Sequence, residues 1–266
     1  MISFNQLGNL GRLGNQMFQY ASLRGIAANR GFDFCIPPVN VFGVSDPNVK
    51  NSTTNIHTAF NLESYNQGLP TNSIVEESGF NFDVSLFNDC ADDVDLFGYF
   101  QSEKYFKNIE EEIRKDFTFL PEVIDVCDEF IEELVKSNEI ISIHIRRGDY
   151  LNLQSYHPTS PIEYYEKALE KFPNVPVIIF SDDISWCLDK TLFDPDRFFI
   201  SQGNPAEYDM CLMSKCTHHI IANSSFSWWG SWLSKSQNII APKVWFGPSL
   251  NTHNTEDLYC SGWEIL

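Results

Sequence analysis

Hydrophobic and polar positions alternate along this chain in two registers. Near the start, ISFNQL reads as a strand, GNLGRLG as a glycine-rich turn and NQMFQYASLRGIAANR as a helix, with Gly31 placed to close it. FDFCIP reads as a second strand, stopped by Pro37 and Pro38. Residues 38–72 are rich in Asn, Pro, Ser and Thr and read as mostly irregular. VDLFGYF at 94–100 reads as a buried strand, and SEKYFKNIEEEIRKDF as one helix after it. Pro121 opens a further helix over 121–138, with Val123, Ile124, Cys127, Phe130, Ile131 and Leu134 at helical spacing and an acidic, solvated opposite face.

Beyond residue 138 the pattern becomes regular. Strands EIISIHI, VPVIIF, RFFIS, HIIA and NIIAP alternate with helices SPIEYYEKALEKF, ISWCLDKTL, PAEYDMCLMSKC and SFSWWGSWLSK. NIIAP is read as the last strand. Such alternation implies right-handed βαβ crossovers and a parallel sheet. The expected fold class is α/β: a Rossmann-like C-terminal domain over 121–266 and a smaller, less regular α/β domain over 1–120, with the hinge near 117–138.

The length of 266 residues accommodates two such domains. With 43% hydrophobic and 14% aromatic residues, a disordered or collagen-like chain is excluded. A formal net charge of -18 argues against a nucleic-acid partner, because phosphate backbones demand Lys and Arg. Any anionic ligand must be met by a local basic cluster. No apolar run is long enough to span a membrane, and the N-terminus lacks a secretory pattern. Contact with a membrane surface stays open. The seven cysteines are odd in number and contain no CxxC pair, which fits reduced thiols and a cytoplasmic location. The sequon at Asn51 is then irrelevant.

In parallel sheets, ligands bind outside the carboxyl ends of the strands. HIRRGD at 144–149 places Arg146 and Arg147 at such an end. Adjacent arginines face opposite ways on a strand, so one fork can grip a diphosphate while the other pairs with Asp149 or another carboxylate. A salt-bridged strand end is the competing reading. The RGD tripeptide is read as chance. FSDD at 180–183 places Asp182 and Asp183 at a second end, able to accept N–H bonds from a guanine edge, to meet a ribose or to hold Mg²⁺, or simply to cap the next helix.

NSSFSWWGSWL at 223–233 starts a helix whose free N–H groups suit a phosphate, with Ser224 and Ser225 at its start. Its tryptophans read as core more readily than as a sugar platform. GRLGNQ at 11–16 joins a strand to a helix as phosphate loops do, without matching a standard motif. Asp93–Asp95 and Asp194–Asp196 have DxD spacing and read as solvated loop residues. His218 and His219 are adjacent and must point apart on a strand.

Taken together, GRLGNQMFQYA, HIRRGDY, FSDDISWC and NSSFSWWGSWL, in this order and spacing, make the chain resemble the α-1,2-fucosyltransferases of glycosyltransferase family 11. The resemblance spans nearly the whole chain. It implies a GT-B-type fold of two Rossmann-like domains with the nucleotide site in the C-terminal half. It implies GDP-fucose as donor, no cofactor and no metal, inversion at the anomeric carbon, and a terminal β-galactoside fucosylated at O2. By similarity, Arg146 holds the β-phosphate and neutralises the leaving group. His144 lines the nucleotide pocket, Arg147 serves donor binding, and Asp182 or Asp183 binds guanine. Ser224, Ser225 and the Phe226 N–H hold phosphate oxygens, while Gly14 and Asn15 close over the donor from the other domain.

Asp149 is the candidate general base, and its rival role is to orient Arg147. Animal members of the family carry a Golgi anchor, which this chain does not show, so it resembles a bacterial or viral member. The segment 38–95 is short and Asn-rich for the family, which opens the question of the acceptor. The competing functions are a same-scaffold transferase with another nucleotide sugar or linkage, and a non-catalytic glycan- or nucleotide-binding protein. A metal-dependent transferase working through a DxD pair ranks behind both.

Overall fold

A computed structural model describes residues 1–39, 54–62, 65–134, 139–250, 252 and 254–266. Asn51 and its sequon, residues 40–53, 63 and 64 of the segment read as irregular, and the end of the 121–138 helix lie outside the described residues. The chain divides into two compact units, Met1–Leu120 with His253–Cys260, and Pro121–Thr252 with Ser261–Leu266. The return of His253–Cys260 to the first unit has no signature in the hydrophobic pattern. It is tied there by the Asp257 carboxylate, which accepts from Phe82 N at 2.8 Å and pairs with Lys104.

The first unit opens with β1 (Ile2–Ser3), α1 (Leu13–Arg30) and β2 (Phe34–Ile36). There follow α2 (Ile56–Ala59), β3 (Asn66–Gln67), β4 (Ser73–Glu76), α3 (Val84–Asp89) and β5 (Val94–Phe97). The strands form one parallel sheet in the order β3-β2-β1-β5-β4. The first strand is shorter than ISFNQL because its backbone is diverted. Asn5 N donates to Asp95 Oδ1 at 2.8 Å and Leu7 N folds back to Phe4 O at 3.0 Å. Gly31 closes α1 in the left-handed region, as expected.

The segment 102–117 is not one helix. It is two 3₁₀ turns, Glu103–Tyr105 and Lys107–Ile109, followed by α4 (Glu110–Asp116). Its backbone packs directly on α1, where a Cβ at Gly25 would come 2.0 Å from Tyr105 O, and Asn108 Nδ2 donates to Gly25 O at 3.1 Å. The unit's core is aromatic: Phe60 packs at 4.9 Å from both Phe117 and Phe119, and Tyr20 donates to Asp116 at 2.9 Å, which also pairs with Arg24.

The second unit begins with α5 (Pro121–Leu134) and β6 (Ile141–Ile145), then α6 (Ile162–Leu169) and β7 (Val177–Ser181). It continues through α7 (Ile184–Leu188), β8 (Phe198–Ile200), α8 (Ala206–Lys215) and β9 (His218–Ile220). It ends with α9 (Ser225–Leu233), β10 (Asn238–Ala241) and β11 (Glu264–Ile265). All six strands are parallel, in the order β11-β10-β9-β6-β7-β8. β10 is therefore not the last strand; β11 adds an exposed edge that carries no alternation to read. The sheet is buried on both faces: every residue of β6 is buried, and Tyr164 of α6 ties two strand ends by donating to Ile221 O and Ile240 O at 2.8 and 3.0 Å.

These two parallel-sheet units are the Rossmann-like pair expected of a GT-B-type protein. In the second unit the chain runs outward from β6 through β7 to β8, then crosses back to β9, β10 and β11. Strand order reverses between β6 and β9. That switch point is where α/β sheets open a crevice for ligands.

Candidate active site

The strand β6 ends by delivering Arg146 and Arg147 to the switch point. Arg146 is largely buried and lies between two carboxylates, with Nη2 donating to Asp149 Oδ1 at 2.5 Å and Nη1 at 2.6 Å from Asp182 Oδ2. Its guanidinium also covers the Tyr150 ring, 5.1 Å from the centroid. Arg147 takes a different direction. Its Nε donates to Asp183 Oδ2 at 3.0 Å, and its guanidinium lies 4.4 Å from the Trp186 ring centroid. The two forks have separate jobs, as alternation on a strand requires. The expected rival role of Asp149, orienting Arg147, is corrected: Asp149 pairs with Arg146, and Arg147 belongs to Asp183.

Asp182 and Asp183 both organise this end of the sheet. Asp182 Oδ1 accepts Arg147 N at 2.8 Å and Gly148 N at 3.1 Å. Such closeness needs a glycine, since a Cβ at Gly148 would come within 2.6 Å of Asp182 Oδ2. Asp183 caps α7 by accepting Trp186 N at 3.1 Å. The Arg147 hydrogen bond is the main reason its carboxyl sits below the usual carboxylate range.

The start of α9 lies at the end of the neighbouring strand β9. Ser224 is its N-cap and accepts Phe226 N at 3.3 Å; Ser225 is its first residue. The first turn of a helix carries N–H groups without intrahelical partners and the positive end of the dipole. Phe226 is half-buried, its ring 5.7 Å from that of His144. His144 is buried, with Nδ1 2.9 Å from Ser227 Oγ and its carbonyl accepting Tyr165 OH at 3.2 Å. Burial, helped by the Arg146 charge, lowers His144 to about 3, so the ring is uncharged at neutral pH. Behind this turn Trp228 and Trp229 are fully buried and Trp232 nearly so; they are core, as expected.

The second unit thus brings together Arg146, Arg147, Asp149, Asp182 and Asp183 in one polar network, with His144, Ser224, Ser225 and Phe226 at the adjoining strand end. Gly14 and Asn15 belong to the first unit, in the first turn of α1 beyond β1. There Asn15 Oδ1 accepts Gln101 Nε2 at 2.8 Å, under Gly11 in the left-handed region at φ +88°. A Cβ at Gly11 would sit 2.3 Å from Asn15 Nδ2.

Four residues of the second unit's site escaped the sequence reading: Tyr150, His157, Trp186 and Asn223. Asn223 ties two loops together, its Nδ2 donating to Pro158 O at 3.0 Å and Trp245 O at 2.9 Å, while its carbonyl accepts Tyr150 OH at 3.1 Å. Tyr150 and Asn223 sit inside the quoted motifs, which was the available signal; Trp186 follows FSDD by a fixed helical step. Of the DxD residues, Asp93, Asp194 and Asp196 are exposed as expected, but Asp95 is not a solvated loop residue and lies in β5. Asp95 is buried and accepts Ser3 Oγ at 3.0 Å, and Asp194 accepts Asp196 N within a turn. His218 and His219 do point apart, toward Glu139 and Ser142 respectively. The cysteines are unpaired as disulfides, and among the described residues no cluster of His, Cys, Asp and Glu is arranged for a metal.

Comparisons with known proteins agree with this architecture. The NodZ α-1,6-fucosyltransferase, in a crystal soaked with GDP-fucose, superimposes with a TM-score of 0.59 at 16% identity, over 91% of this chain and 94% of that one. At that identity the likeness shows the fold. An α-1,2-colitosyltransferase of Escherichia coli is 38% identical over 58% of this chain and 56% of its own length. The matched stretch therefore spans little more than half of that relative. A galactoside α-(1,2)-fucosyltransferase 2 of Oryctolagus cuniculus is 25% identical over 86% of this chain and 67% of its own. The model of glycosyl transferase family 11 matches residues 2–266, and the chain belongs to that family.

Proposed function

We propose that the protein transfers L-fucose from GDP-β-L-fucose to O2 of a terminal β-galactoside, with inversion and without a metal. The observation that carries this reading is Arg146, held at the switch point between Asp149 and Asp182 beside the start of α9. As the glycosidic bond breaks, negative charge develops on the GDP leaving group. A preoriented guanidinium and helix N–H groups stabilise that charge with little reorganisation. This is the role a divalent cation plays in metal-dependent transferases.

Arg146 meets the β-phosphate. Ser224, Ser225 and the Phe226 N–H take phosphate oxygens, and the uncharged His144 lines the pocket beneath them. Asp182 or Asp183 is assigned to the guanine edge by the family resemblance, while Arg147, locked to Asp183 and Trp186, fixes that end of the site. Gly14 and Asn15, in the first unit, are assigned to donor binding by the family resemblance, as the first unit is to acceptor binding. Asp149 holds the Arg146 fork; acting as a base would require it to give up that ion pair. No described helix is long and apolar enough to cross a membrane, and the reduced thiols fit a cytoplasmic setting.

A colitosyl donor is the second reading, favoured by the 38% identity to the colitosyltransferase. Competition separates the two. Against a labelled GDP-fucose probe, unlabelled GDP-fucose is expected to displace the label at lower concentration than GDP-mannose, UDP-sugars or a GDP-colitosyl donor. Stronger displacement by any of these would reassign the donor.

A further inference from the structure

Every carboxylate of the second unit's site is engaged: Asp149 by Arg146, Asp182 by Arg146 and two backbone N–H groups, Asp183 by Arg147 and Trp186 N. His144 is bonded to Ser227. His157 differs. Its ring stacks on Tyr150, with centroids 5.0 Å apart and planes 20° from parallel, and Phe246 leans on it at 5.7 Å. Tyr150 is the same ring that Arg146 covers. Yet among the described residues neither ring nitrogen of His157 makes a hydrogen bond. The side chain is half-buried, so those nitrogens are not sealed away.

The ring is also held in place by its backbone. His157 N donates to Leu153 O at 2.7 Å. Gly247 N donates to Tyr156 O and Ser249 N to Ser155 O, both at 2.8 Å, and Asn223 binds Pro158 O. A loop pinned on both sides of one histidine, with that histidine's polar atoms left available, is built to present the ring rather than to use it as a strut.

We propose that His157 is the general base that takes the proton from the acceptor hydroxyl. The proposal rests on the fucosyl-transfer reading above. As the acceptor oxygen bonds to the anomeric carbon, its proton passes to a ring nitrogen of His157. The bond from that carbon to the β-phosphate oxygen breaks, and its electron pair leaves with GDP. The imidazolium then returns its proton to solvent. The charged groups that act on the ring are Asp149 and Arg146; the elements packed against it otherwise offer Tyr150 and Phe246. Burial lowers the imidazole below its ordinary value, Asp149 opposes this and Arg146 adds to it, so the ring is an uncharged base near neutrality.

The test uses the full chain with GDP-fucose and lactose, and the variants His157→Gln and His157→Ala. Donor affinity is read by calorimetry and transfer by product formation from about pH 5 to 9, the range over which imidazole charge changes. Wild-type kcat/KM is expected to fall as pH drops through the His157 value, because the protonated ring cannot accept. In both variants kcat should fall about 100-fold or more, and donor affinity should stay within about twofold. The acid limb should vanish, and added imidazole should restore part of the rate to His157→Ala. Retained kcat in His157→Gln, a persisting acid limb, or a parallel loss of donor affinity would overturn the proposal. If wild type itself makes no fucosylated product, the functional reading fails and the proposal falls with it; transfer by wild type with unimpaired variants defeats the proposal alone.

Discussion

Replacing Arg146 by alanine is expected to lower turnover by about 10² to 10³-fold, the range found when a preorganised donor to a developing oxyanion is removed. The reason lies in how the side chain is held. Asp149 and Asp182 grip two different nitrogens of the fork, and the Tyr150 ring covers its face, so the charge is aimed before the donor arrives. The fold should survive. Asp182 keeps its two backbone donors, Arg147 N and Gly148 N, and Arg147 keeps Asp183. Arg146→Lys should not restore the rate, because an ammonium cannot span both carboxylates as a planar fork does. Circular dichroism melts beside kcat at saturating donor check both halves. Turnover near the wild-type rate would remove Arg146 from the leaving-group role.

The largest stability effect is expected at Trp228. It is fully buried, edge-on to Trp229 at 4.9 Å, stacked with Trp232 at 6.2 Å and tilted against Trp263 at 5.6 Å. Trp228→Ala leaves a cavity that these rigid neighbours cannot fill, at a cost of about 3 to 5 kcal/mol. The midpoint of chemical unfolding, followed by fluorescence, measures it. A sugar platform would behave differently, losing acceptor affinity at unchanged stability. Such a result would contradict the assignment of these tryptophans to the core.

The second unit was largely legible in the sequence because its strands are buried on both faces. Runs such as ISIHI and VIIFS cannot be much else when punctuated by amphipathic helices. The edges were not legible. β4 lies at a sheet edge and is mostly exposed, α3 buries nothing, and β11 is exposed throughout, so none leaves an alternation to read. The break of 102–117 into turns goes with a tertiary contact, the close approach of Tyr105 and Asn108 to Gly25 of α1.

The site shows the same division. Motif spacing located Arg146, Arg147, Asp182, Asp183 and Ser224, but it could not say which acid holds which arginine. That depends on the register between β6 and β7, which sets Asp182 and Asp183 against Arg146 to Gly148. His157 was invisible because it is a lone loop histidine. Only its stack on Tyr150 brings it to the site.

The proposed metal-independent fucosyl transfer is open to one assay. The protein is incubated with GDP-fucose and lactose, with and without EDTA, and the products are read by mass spectrometry and then treated with an α-1,2-specific fucosidase. Fucosyl-lactose is expected in both tubes, and its loss to the fucosidase. Product that disappears in EDTA, product that resists the fucosidase, or no product would contradict it.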